Sequence, residues 1–164
     1  MKKVSKDIVK DVSKKLSKTD AGGESFVIEM LEGDQTFGIN FDRIQWDNKI
    51  EKYVILEYLF CHPSQFDRNV TPFTSHPNRY FYKNSQKFIS LWRLAKKIEA
   101  KLFLINYTTK NEKYENEVLL MEVELIDSTN SQCPVKTLDK KITRKEFSIW
   151  LRELNSRGKI NEKY

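Results

Sequence analysis

Residues 37–61, FGINFDRIQWDNKIEKYVILEYLFC, decide how this chain folds. Within them, Tyr53–Cys61 is almost entirely β-branched, aromatic or aliphatic, with one charge at its centre, Glu57. A continuous apolar run of this length predicts a strand covered on both faces, the interior of a sheet. A carboxylate placed there is costly unless a cation, a proton or a set of hydrogen bonds offsets its burial. The segment before it, Thr36–Trp46, also reads as a strand and also carries one acid among apolar neighbours, Asp42. A turn around Asp47-Asn48-Lys49 would join the two as a hairpin and bring Asp42 beside Glu57. Two acids on adjacent strands are the smallest set that can hold a divalent cation for phosphodiester cleavage. Each also has a structural reading: Asp42 paired with Arg43 or a lysine, Glu57 with Arg93 or Lys87. Asp47 is a second candidate for the first acid, although its Trp-Asp-Asn-Lys setting reads as turn chemistry.

Outward from this stretch, the chain reads as helix, strand, strand, strand, helix, strand, strand, helix. A lysine-rich helix over residues 3–18 carries a narrow stripe of Val4, Ile8, Val12 and Leu16. Its charges interrupt any signal-peptide or membrane-spanning pattern. Thr19–Gly23 breaks it, and Ser25–Leu31 reads as the first strand, turned at Glu32-Gly33-Asp34. Beyond Cys61 lies a long polar connection with three of the four prolines and both histidines, His62 and His76. Together with Arg68, Arg79, Tyr80 and Tyr82 these could contact phosphate and stack on bases, or simply fold the loop onto the core. A helix capped by Asn84 or Ser85 runs to about Ala100, with Phe88, Leu91, Ala95 and Ile98 as its buried stripe. Leu102–Tyr107 is a strongly apolar strand, and a helix between two such strands is a crossover that favours a partly parallel sheet. Glu117–Asp127 alternates, with Leu119, Met121, Val123 and Leu125 on one face, which predicts a strand near an edge. Ser128–Lys141 reads as loop, and Thr143 with Glu146 forms a capping box opening a last helix.

The fold class expected is α/β (α+β), a mixed central sheet flanked by helices. A single domain is expected over 1–164, with a basic helix and linker at 1–23, a core at 24–127, and a loop and last helix at 128–164. The 164 residues are 39% hydrophobic, 32% charged and 12% aromatic, which fits a globular chain and argues against disorder. Two separated cysteines and two histidines make a structural zinc site unfavourable and point to free thiols and a cytoplasmic setting. A net charge of +6 suits a nucleic-acid partner without requiring one. With five glycines and neither a P-loop nor a GxGxxG motif, nucleotide-cofactor enzymes are disfavoured. The adjacent pairs Ser75-His76 and Cys61-His62 do not amount to triad geometry.

The order of elements, with Asp42 in FDRI (41–44) and Glu57 in Ile55-Leu56-Glu57, resembles the PD-(D/E)xK nuclease-like (restriction endonuclease-like) superfamily over roughly Ser25–Tyr107. The resemblance implies a three-stranded meander carrying the acids, then a crossover helix and a further strand. It implies that Asp42 and Glu57 hold magnesium in a metal-dependent nucleic-acid phosphodiesterase, of the kind met in phage, mobile-element or restriction settings. The family's lysine should stand two residues after the second acid, where this chain has Leu59. Some members carry it on the following helix, which nominates Lys87, with Gln86 beside it and Lys83 as a weaker candidate. The catalytic set expected is therefore Asp42, Glu57 and Lys87, with Gln86, Arg79 and His76 toward the substrate. The partner implied is nucleic acid, DNA before RNA, with no membrane and with a homodimer as a common family assembly. The alternative is a catalytically inactive module of the same fold that binds nucleic acid or a protein.

Overall fold

The computed structural model describes residues 21–159, and the side chains of 25–159. The helix expected over residues 3–18 lies outside the described residues. The chain divides into two compact units, one of residues up to Gly38 with those from Lys159 onward, the other Ile39–Gly158.

In the first unit, Ser25–Leu31 is not a strand. It belongs to helix α1, Ala21–Leu31. A short apolar run has no period that separates strand from helix. Here Glu24, Glu29, Met30 and Leu31 favour helix, and among the described residues of the unit there is no strand to pair with it. Glu32 (φ 48°) and Gly33 (φ 95°) turn left-handed and end the helix.

The second unit is a five-stranded mixed sheet with a helix on each face. Its strands are β1 (Arg43–Asp47), β2 (Lys52–Phe60), β3 (Lys101–Tyr107), β4 (Glu117–Ile126) and β5 (Val135–Thr143). They lie side by side in chain order, all neighbours antiparallel except β2 and β3. The parallel pair is joined by α2 (Phe81–Lys97), and α3 (Arg144–Ser156) follows β5. Because side chains alternate along a strand, β2 divides its apolar run between two cores. Ile55 and Leu59 face α2 with Phe88, Leu91 and Leu104; Val54 and Leu56 face α3 with Ile105, Leu120 and Leu154. This is the doubly covered strand that its composition predicts.

The strand expected over Thr36–Trp46 is reduced to β1, five residues long, with Asp42 just before it. Among the described residues its outer edge has no neighbour, and Gly38 and Asn40 are poor strand formers that do not extend it. The turn around Asp47-Asn48-Lys49 is present: the Asp47 carboxylate accepts from the Lys49 amide at 2.9 Å, and Glu51 (φ 51°) closes the loop. Asp47 is itself buried and accepts two hydrogen bonds from the Arg157 guanidinium, at 2.9 and 3.0 Å. Burial alone would raise its pKa, but Arg157 and the Lys49 amide together hold it below the ordinary range. Asp47 is thus a structural acid that ties the hairpin to the end of α3.

One further expectation is corrected on the far side of the sheet. Residues 135–143 form a strand rather than loop, the edge strand beside β4. In β5 only Val135 and Ile142 are buried; its exposed lysines 136, 140 and 141 hide the strand signal and suit an edge that must not pair with other chains. The register of β4 on β5 shifts between Val123 and Leu125. That irregularity turns Leu125 outward, 47% exposed, and makes Ile126 the next buried residue, where simple alternation places Leu125 inside.

The polar connection after β2 is better ordered than its composition suggests. It holds two 3-10 turns, Pro63–Arg68 and Pro77–Arg79, each opened by a His-Pro pair whose imidazole accepts from a backbone amide, Ser64 and Asn78 respectively. Phe66 is buried and Phe73 packs on the α2-side core. Asn106 of β3 donates to the Pro72 carbonyl at 3.0 Å, and Thr71 donates to Glu117 at 2.7 Å. No described helix is long and apolar enough to cross a membrane.

Candidate functional site

Glu57 stands on the α2 face of β2, 1% exposed, with Val54, Ile55 and Leu56 buried before it. Above it runs the start of α2. That helix opens at Phe81, ahead of the Asn84 or Ser85 cap expected, and bends at Asn84, whose φ of −129° is not helical. The bend lays Lys83 and Lys87 over the second half of β2. Lys87 Nζ makes an ion pair with Glu57 Oε1 while its own side chain stays 36% exposed, so its charge remains partly hydrated. Glu57 Oε2 is buried and has no hydrogen-bond partner. Burial raises the Glu57 pKa; the Lys87 ammonium opposes the rise, and the negative charge of Asp42 adds to it.

Asp42 reaches the same place from the other side. Its Oδ2 accepts the amide of Tyr58 at 2.7 Å, two residues past Leu56, where β2 stops pairing with β1. The carboxylate takes over a backbone hydrogen bond that the vanished strand no longer supplies, and this pins the acid beside Glu57. The pairing of Asp42 with Arg43 considered from sequence is not formed; Arg43 donates to Gln45 at 2.9 Å and to Asn155 instead.

Between β2, the start of α2 and the connection lies a cleft of about 440 Å³. Its walls include Glu57, Leu59, Tyr80, Lys83 and Lys87, with Phe60 at the strand end. Leu59 points into it two residues after Glu57, and the amine absent at that position arrives from the opposite wall through Lys87. Tyr80, read from the sequence only as one of the loop residues that could contact phosphate or stack on bases, stands in the cleft wall. Burial, with Cys61 and Glu57 nearby, raises its phenol pKa, so the hydroxyl keeps its proton. Tyr80 precedes α2 and the break at Asn84 separates Lys83 from Lys87, so the bend rather than a single helix face brings the three into one wall.

The structure brings Asp42, Glu57 and Lys87 together. It does not bring the other three candidates to them. Gln86 is exposed on α2 and does not line the cleft. Arg79 is exposed and donates to the Thr74 carbonyl at 3.3 Å. His76 is committed within the fold: Nδ1 accepts the Asn78 amide at 3.2 Å, so Nε2 carries the proton and donates to Thr137 at 2.9 Å. Arg93, the other partner considered for Glu57, is exposed on α2, and the ion pair goes to Lys87.

The described residues contain no group of three or more histidine, cysteine or acidic side chains placed to hold a metal. A cage made by protein alone is therefore not available among them. Two carboxylates, one carrying a buried oxygen without a partner, do fit magnesium, which commonly takes one or two carboxylates and fills its remaining positions with water and phosphate.

No family model, no curated protein and no solved structure matches this chain.

Proposed function

We propose that this protein is a metal-dependent nucleic-acid phosphodiesterase of the restriction endonuclease-like kind, with Asp42 and Glu57 as magnesium ligands and Lys87 as the catalytic amine. The observation that carries the reading is Lys87 Nζ on Glu57, supplied from the helix after the acid-bearing strand, where Leu59 leaves the usual position without a charge. The hairpin β1–β2, the crossover α2 and the parallel β3 support the reading; Ser25–Leu31, a helix, does not.

Each residue has a separable task. Glu57 presents oxygen ligands on the floor of the cleft, and Asp42 presents them beside β2, where its carboxylate holds the Tyr58 amide. Bound magnesium would supply an activated water and offset the charge of the pentavalent phosphorane. Lys87, across the bend at Asn84 from Lys83, places a second positive charge over the same floor, so both ammonium groups can draw a phosphate in and neutralise its non-bridging oxygens. Tyr80 keeps its proton and offers a neutral donor.

A second reading, a catalytically silent module binding nucleic acid or protein, is favoured by the same ion pair, since a lysine seated on Glu57 also satisfies a buried acid without any metal. Titration of manganese into wild type and Asp42→Asn, followed calorimetrically, separates the two. The enzyme reading expects binding that the variant loses, with magnesium-dependent cleavage falling about a thousandfold or more. A wild type that neither binds the ion nor cleaves single- or double-stranded substrates would leave the silent module standing.

A further inference from the structure

The cleft over Glu57 has two unlike walls. The α2 side is cationic, with the exposed Lys83 and the partly buried Lys87. The side formed by the polar connection is uncharged, and there Gln65 and Ser75 line it. The Ser75 hydroxyl is engaged with the Cys61 thiol. Gln65 is half-buried, and its carboxamide makes no hydrogen bond among the described residues. Its oxygen and its amine are therefore both open to a ligand.

The main chain beneath that carboxamide is fixed. Gln65 sits inside the 3-10 turn Pro63–Arg68, where its amide donates to the His62 carbonyl at 3.0 Å. Its own carbonyl accepts from the amides of Asn69 and Val70. The next residue, Phe66, is buried, with its ring edge-on to Tyr114 at 4.9 Å. A side chain with spare hydrogen-bonding groups on an anchored backbone is suited to selecting a ligand rather than adapting to any.

An occupant of this cleft meets a carboxylate floor, ammonium groups on one side and a carboxamide on the other. Its volume of about 440 Å³ falls in the class of small-ligand sites, about 300–1,000 Å³. That suits one nucleotide unit rather than a turn of duplex. The phosphate belongs on the lysine side, above the acid, which leaves the base toward Gln65. A carboxamide presents an acceptor and a donor side by side, the complement of adenine, whose N6 amine donates while N7 accepts.

We propose that Gln65 is a specificity-determining residue, which contacts the base of the nucleotide whose phosphate enters the cleft and selects adenine there. This rests on the phosphodiesterase reading above and adds to it which base the site takes. Lys83 and Lys87 hold the phosphate whatever the base, and Gln65 distinguishes one base from another.

The test is fluorescence anisotropy of the full chain with labelled homo-oligonucleotides of adenine, cytosine and thymine, each about 8 nucleotides long. All are measured in chelator, so that no cleavage intervenes. The adenine strand is expected to bind at least about tenfold more tightly than the other two. Gln65→Ala should erase that difference. Gln65→Glu keeps the size of the side chain but leaves only acceptors, and should turn the preference to cytosine, whose N4 amine donates. A residue that merely shaped the turn would weaken all three alike and could not redirect the preference. Lys83→Met should weaken all three by the same factor and reduce their salt dependence. Circular dichroism of each variant checks folding. Equal binding of the three strands by wild type, or an adenine preference that survives Gln65→Ala, overturns the assignment of Gln65; if wild type still cleaves with magnesium, the phosphodiesterase reading survives that failure. A preference that depends on Gln65, without cleavage of any strand, supports the base contact and removes the enzyme. Failure to bind any of the three overturns both.

Discussion

Glu57 is the residue on which stability and function pull apart. Its pKa in the folded protein lies above the ordinary carboxylate range because burial outweighs the nearby lysine. Between the ordinary and the folded value the native state binds more protons than the unfolded chain, so stability is lost as pH rises through the folded value. Glu57→Gln removes that loss. We expect the variant to be about 1 kcal/mol more stable than wild type in urea unfolding at neutral pH, with the gain vanishing below the ordinary carboxylate titration. The same change should abolish metal binding. A variant less stable than wild type at neutral pH would show that the ion pair, not burial, dominates this acid. His76 runs in the opposite direction. Burial lowers its pKa, although the charge of Asp139 works against this, so its contribution is full above the ordinary histidine value and is lost as pH falls toward the folded one. Lys87→Met should reduce cleavage about 10²–10³-fold, while Lys87→Arg restores part of it; equal loss in both would mean that position rather than charge matters.

Individual elements owe their limits to a few side chains. Thr143 accepts from the Glu146 amide at 3.1 Å, and Glu146 accepts back from the Thr143 amide at 2.7 Å, a closed capping box at the start of α3. Thr143→Ala is expected to cost about 1 kcal/mol in denaturant midpoint analysis, since the first turn of α3 then lacks that acceptor. The capping box was readable because both partners lie within four residues of each other. β5 was not readable, because its pairing partners on β4 are nine or more residues away and its own residues are mostly lysine, threonine and aspartate. α1 was misread for a related reason: strand and helix share the composition of Ser25–Leu31, and only the availability of a partner strand decides between them. The hairpin shows the same division. Its turn is local chemistry of Asp47 and Lys49, whereas its anchoring through Arg157 spans most of the chain.

At the scale of the whole molecule, both cores belong to Ile39–Gly158. A fragment of those residues is therefore expected to unfold in one cooperative transition seen alike by circular dichroism and tryptophan fluorescence. Non-coincident transitions would mean that the two cores do not depend on each other. If the surface around Lys83 and Lys87 takes a nucleic-acid backbone, affinity should fall steeply with added salt. The sequence by itself determined β2, its two covered faces, the crossover helix, and Glu57 as a charge in the wrong surroundings. These follow from composition and period within one segment, where burial leaves a local mark. Tertiary structure alone decided that Asp42 caps the β1–β2 ladder and that Lys87 rather than Arg93 meets Glu57. It also decided that His76 serves the fold and that β5 closes the sheet. Each of these depends on which segments meet in space. A hydrophilic residue looks the same in sequence whether it faces water, a distant backbone amide or a buried acid.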